Sequence, residues 1–144
     1  MINPEKTRSD EQAVLEASQA FYAAIQALDT ERMERLWLQD ERSRCVHPGW
    51  DVLEGWEEIR QSWANIFRNT KRMQVRVSQV SVQVVGDLAW ACCVEDITYA
   101  SEGGFGTALV GATNIFLRLN GRWLMVQHHA SQLPSSEDSK FPVQ

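Results

Sequence analysis

The sequence predicts an α+β domain in which three amino-terminal helices pack on a strongly curved antiparallel sheet. Two observations carry the fold class. Apolar residues recur at helical spacing in three segments of the first half of the chain, and from Met73 the period changes from 3.6 to 2. Runs of helices followed by runs of strands indicate helices gathered on one face of an antiparallel sheet. A third observation predicts the curvature. Met73, Val75 and Val77 alternate with polar residues, then the phase slips so that Val80, Val82 and Val84 alternate instead, as a bulge at Ser78-Gln79 would produce.

Residues 1–8 are polar and charged and are expected to form a flexible lead into a single domain spanning 9–133. Ser9 with Gln12 three residues later has the form of a capping box, and Val14, Ala17, Phe21, Ile25 and Leu28 follow at helical spacing. This predicts a first helix from Asp10 to Leu28, with Tyr22 bordering its buried stripe. Asp29 is placed to cap a short second helix whose apolar side is Met33, Leu36 and Trp37. Trp56, Ile59, Trp63, Ile66 and Phe67 give a third helix ending at Arg68, with Glu57 and Glu58 at the positive end of its dipole. Four strands follow, over Met73–Val84, Leu88–Tyr99, Thr107–Leu119 and Arg122–Ser131. Gly86-Asp87, the glycine-rich Ser101–Gly106 and Asn120-Gly121 turn the chain between them. The Ser-, Pro- and charge-rich segment 134–144 is expected to be a flexible tail.

A chain of 144 residues with 44% apolar and 23% charged residues is an ordinary soluble domain with room for one core. Net charge is −5 with no run of Lys or Arg, which argues against nucleic acid or an anionic membrane as partner. No apolar run is long enough to span a bilayer, and the amino terminus lacks a signal-peptide core, so a cytoplasmic location is expected. Cys45, Cys92 and Cys93 read as reduced core residues. No spacing resembles a metal site, and no phosphate-binding glycine motif is present; no cofactor or metal is expected. His128-His129 cannot chelate one ion from a strand, because neighbouring side chains point to opposite faces.

The stretch Arg44–Trp50 concentrates the chemistry. Pro48 pushes His47 toward extended geometry, and Gly49 permits a sharp turn after it. Trp37, Trp50, Trp56 and Trp63 come from this stretch and its flanking helices, so His47 is expected at the mouth of an apolar pocket or, equally, as a hydrogen-bonded turn residue.

The order of elements, His47-Pro48 after the second helix and the closing Gly121-Arg122-Trp123 strand resemble the nuclear transport factor 2-like superfamily, whose fold is cone-shaped and cystatin-like. The ketosteroid isomerases are similar at Tyr22 and His47-Pro48. SnoaL-like cyclases are similar over Gly111–Phe116 and from Gly121 through His128-His129-Ala130-Ser131. The association domain of calcium/calmodulin-dependent protein kinase II has a similar closing strand. The resemblance covers Glu11 to Pro134. It implies His47 as a base where the isomerases carry aspartate, Tyr22 as an oxyanion donor, and Asn114 near the place of a strand aspartate. Comparison with the association domain implies that Cys93, Glu95, Ala112, Asn114, Val126, His128 and Ala130 face inward, and His129 and Trp123 outward.

The expected site is therefore His47, Tyr22 and Asn114 as catalytic residues, with Trp50, Trp63, Glu95 and His128 binding a small apolar molecule. Of Glu95 and Asp96, one must be solvated. Two functions follow from the resemblance: isomerase-, cyclase- or lyase-like proton transfer on a carbonyl compound without metal, or a non-catalytic oligomerisation module. Apolar residues such as Trp90, Ile115 and Trp123 on the outer sheet face predict a homodimer.

Overall fold

The computed structural model describes residues 3–134. The element order is α1 (Pro4–Ala27), α2 (Thr30–Glu34), β1 (Arg44–Val46), β2 (Leu53–Glu54), α3 (Trp56–Arg68), β3 (Thr70–Val85), β4 (Leu88–Ser101), β5 (Gly104–Leu119) and β6 (Arg122–Gln132). The strands form one six-stranded sheet in the order β2-β1-β6-β5-β4-β3. All pairings are antiparallel except β1 on β6, which is parallel.

The first helix starts six residues before the expected Asp10. Asn3 supplies its cap, accepting from the backbone N–H of Glu5 at 3.0 Å and of Lys6, and Pro4 occupies the first turn, where its missing N–H costs nothing. Ser9 and Gln12 are thus helix interior, and residues 4–8 form the first turns of the helix. Asp29 caps α2 by accepting from the Arg32 N–H, as expected. That helix closes at Glu34, however. Leu36 and Trp37 lie beyond it, where the Leu36 carbonyl accepts from the Met125 N–H and Trp37 bridges β6. Backbone pairing with the sheet edge competes here with continuing the helix. The expected tail begins at residue 134, so all but its first residue lies outside the described chain.

In β3, Ser78 pairs with Val94 and Ser81 with Cys92, so Gln79 and Val80 together oppose Cys93. Gln79 takes a left-handed φ of 53°. This bulge is the predicted phase slip: Val75 and Val77 face the helices before it, and Val82 and Val84 after it. A second bulge was not anticipated. Ile115 pairs with Gln127 and Phe116 with Met125, leaving Val126 extra. It reverses the alternation in β6. Met125, fully buried, takes the inward place expected for Val126, and Trp123 is carried to the helix side, where it packs on the core and beneath the Arg118 guanidinium. The two candidate faces of β6 were similarly mixed in composition, so periodicity gave no warning.

The core lies between α1, α3 and the concave face of the sheet. Phe21 is at its centre, in edge contact with Tyr22, Trp37 and Trp63. Burying such rings is worth roughly 1.5–3 kcal/mol each. Arg118 ties α1 to the β3–β4 turn through Asp10 at 2.8 Å and Asp87 at 3.0 Å. No helix among the described residues is long and apolar enough to cross a membrane.

Candidate functional site

Between α1, α3 and the open half of the sheet lies a cavity of about 360 Å³. Its walls are largely apolar, with Ile25, Ile66, Met73 and Ile97 among them; Trp50 and Tyr99 are the more exposed aromatics. Tyr99 lies across Gly106, where an added Cβ would sit 2.2 Å from the ring, so glycine is required there for the ring to keep its place. Three buried titratable side chains reach this space: His47, Glu95 and His128, each no more than 3% exposed.

The parallel pairing of β1 with β6 sets Cys45 opposite His128 and so brings His47 alongside the second imidazole, 6.4 Å between ring centroids. His47 follows the last residue of β1, and its carbonyl accepts from the Trp50 N–H at 2.9 Å, closing the turn that Pro48 and Gly49 make. Its ring is held between Trp50 at 4.8 Å and Trp63 at 4.6 Å, both edge-on. His47 Nε2 lies 2.9 Å from Ser62 Oγ, and Ser62 donates its only hydroxyl proton to the Ile59 carbonyl at 2.7 Å. Nε2 must therefore carry the proton, and Nδ1 keeps its lone pair, with the Cys45 thiol 3.9 Å away. Burial holds His47 down at about 4, so the ring is neutral at pH 7.

Behind the other wall runs a chain of buried hydrogen bonds. Tyr22 donates to Glu95 Oε2 at 2.5 Å and accepts from Asn114 Nδ2 at 2.9 Å; its oxygen also lies 3.2 Å from Cys93 Sγ. Asn114 Oδ1 is 2.6 Å from His128 Nδ1. Burial raises Glu95 to about 7, partly offset by the Tyr22 hydrogen bond. Burial, with the nearby His47 and His129, lowers His128 to about 3. Burial and the Glu95 charge push the Tyr22 hydroxyl far above its ordinary range, so it stays protonated. Losing one member of this chain would strand its neighbours, at roughly 1–3 kcal/mol for each unmade bond.

The structure brings His47, Trp50, Trp63, Glu95 and His128 to one cavity. It corrects the expectation for Tyr22 and Asn114, which do not line it. The Tyr22 hydroxyl is committed to Glu95 and Asn114, and Asn114 is fully buried behind His128. They hold the groups that face the cavity. Asp96 is the solvated acid of the pair. Ser62 was missed; the only signal for it was a polar residue on the apolar stripe of α3, one turn from Ile59 and Ile66. All three cysteines are free, and among the described residues no group of three His, Cys, Asp or Glu side chains is arranged to hold a metal ion.

A strongly bent sheet over a long helix is the nuclear transport factor 2-like fold. The family model of the SnoaL-like domain matches residues 14–135, so the chain belongs to that family. It is similar to a candidate dehydratase of the nuclear transport factor 2-like family from Streptomyces avermitilis, with 34% identity, a TM-score of 0.84, and coverage of 90% of this chain and 99% of that one. A candidate calcium/calmodulin-dependent protein kinase type II association domain from Thiobacillus denitrificans is 30% identical with a TM-score of 0.73, over 82% of this chain and 93% of that one. Among curated proteins, F-box protein SKIP8 of Arabidopsis thaliana is 32% identical over 119 residues, which is 83% of this chain and 49% of the relative, so the chain spans about half the length of that protein.

Proposed function

We propose that the protein is a general acid–base enzyme that moves a proton on a small carbonyl compound, with His47 as base and Glu95 as acid. One observation carries this reading: a neutral imidazole whose unprotonated nitrogen has only the Cys45 thiol beside it, at 3.9 Å, and a carboxyl group poised near neutrality line the same apolar cavity. His47 Nδ1 would take the proton from the carbon next to the carbonyl. The C–H electron pair becomes the enol double bond, and the carbonyl oxygen takes the Glu95 proton. Return of both protons completes an isomerisation or exchange. Where a hydroxyl sits one carbon further on, collapse of the enol returns its proton to Glu95 and expels that hydroxyl, which leaves as water with the proton held by His47. The dehydratase description of the Streptomyces avermitilis relative agrees with this second outcome.

The test is exchange of α-protons in D2O at pD 6, followed by NMR on 1-tetralone and 1-indanone. The protein is expected to accelerate exchange above buffer on at least one of them. No acceleration on either would overturn the proposal.

Assembly is a separate proposal. The outer sheet face carries Trp90, Val94, Leu109, Ile115, Leu117 and Leu124, apolar side chains on the side away from the helices. The likeness to an association domain supports its use in pairing. A dimeric mass by light scattering at micromolar concentration is the expected result; a monomeric mass would remove it.

A further inference from the structure

The hydrogen-bond chain behind the cavity determines which nitrogen of His128 carries its proton, and this has a consequence for the ligand. Tyr22 has one hydroxyl proton and gives it to Glu95 Oε2, so the Asn114 group facing Tyr22 must be the donor amide nitrogen. The Asn114 oxygen then faces His128, and His128 Nδ1 must donate to it. His128 is thereby fixed with its proton on Nδ1 and a lone pair on Nε2. His47 is fixed in the opposite tautomer by Ser62. Among the described residues, Trp63 Nε1 is the one sealed side-chain nitrogen or oxygen without a partner. Among the described residues His128 Nε2 makes no hydrogen bond and is not one of the sealed atoms, and His128 lines the cavity. The same reasoning opens Glu95 Oε1, whose sister oxygen holds Tyr22. Among the described residues no lysine or arginine lines the cavity.

We infer that the ligand is an uncharged hydroxylated ring compound that donates its hydroxyl to His128 Nε2. An acceptor nitrogen buried in an apolar wall gains only from a donor, and a hydroxyl on a flat apolar frame supplies one without bringing charge. A carboxylate or phosphate would meet two lone pairs and a carboxyl group with no cation to offset its desolvation. The low proton affinity that burial gives His128 keeps the lone pair available at neutral pH. This inference rests on the proposed function, for which it names the substrate class, and it assigns His128 to binding the hydroxyl and leaves the proton transfer to His47.

The test uses three probes of one shape on the intact protein at pH 6, read by calorimetry: 2-naphthol, 2-methoxynaphthalene and 2-naphthoate. 2-Naphthol is expected to bind at least tenfold tighter than the methoxy compound, with no measurable binding of the naphthoate. In the same samples, 15N NMR of labelled histidine is expected to show His128 protonated on Nδ1 and His47 on Nε2, with the His128 Nε2 signal moving when 2-naphthol is added. Failure of 2-naphthol to bind, equal binding of the methoxy compound, preferred binding of the naphthoate, or a His128 proton on Nε2 each overturns the inference. Binding is read without turnover. Lost naphthol preference with α-proton exchange intact removes the ligand class alone; naphthol binding with no exchange on any ketone removes the proton-transfer reading alone.

Discussion

Replacing His47 with glutamine is expected to slow α-proton exchange by 10²–10⁴-fold, the usual contribution of a positioned base. Glutamine keeps a polar group within reach of Ser62 but has no basic lone pair, so the fold should survive. The same variant carries a stability signature. In the wild type His47 is held near 4, below the 6.5 of an exposed histidine. The unfolded chain therefore binds a proton that the folded one refuses between those values, and wild-type stability falls as the pH is lowered through that window. His47→Gln removes this loss. At pH 4 it should recover roughly 3 kcal/mol relative to its effect at pH 8. Urea melts at the two pH values check it; equal effects at both would mean that His47 titrates like an exposed side chain.

Glu95→Gln has the opposite pH dependence. Glu95 is held near 7, above the 4.5 of an exposed carboxyl, so the folded protein holds a proton that the unfolded chain releases as pH rises through that interval. Stability contributed by the neutral carboxyl is complete below 4.5 and lost towards 7 and beyond. Glutamine stays neutral and can still accept from Tyr22. At pH 8 the variant is expected to be more stable by roughly 3 kcal/mol, on the order of 10 °C in melting temperature for a domain of this size. At pH 5 the gain should fall to about 1 kcal/mol. Exchange activity should fall by at least a hundredfold at both. A more stable and inactive protein is what a strained catalytic group leaves behind when it is neutralised. The titratable groups around Glu95 are Tyr22 from α1, Cys93 on its own strand, Cys45 on β1, and the neutral rings of His47 and His128 in the same cavity; none is a cation that would hold the carboxyl ionised.

Much of this was legible in the sequence. The change of hydrophobic period at Met73 separated helices from strands, and the slip at Ser78-Gln79 located the bulge that curves the sheet. His47 was readable because Pro48 and Gly49 fix its backbone locally. One misreading is a local competition, and the others concern residues whose placement depends on distant pairing. Asn3 competes with Ser9 for the helix cap, and both are good caps by type. Trp37 leaves its helix because Met125, far along the chain, offers backbone partners. The bulge at Val126 turned Trp123 inward without any local signal. Tyr22 and Asn114 read as catalytic residues reaching the cavity, but whether they face it or stand behind it is decided by their bonds to Glu95 and His128, which no spacing encodes.

One cavity holds a carboxyl that stays protonated until the pH nears 7 beside two imidazoles that do not charge. Carbon-13 NMR of labelled Glu95, followed from pH 4 to pH 9 with the histidine rings observed in the same samples, tests it most directly. The carboxyl is expected to titrate near 7 while His47 and His128 stay neutral down to pH 5. A Glu95 midpoint near 4.5, or either histidine titrating near 6.5, would contradict it.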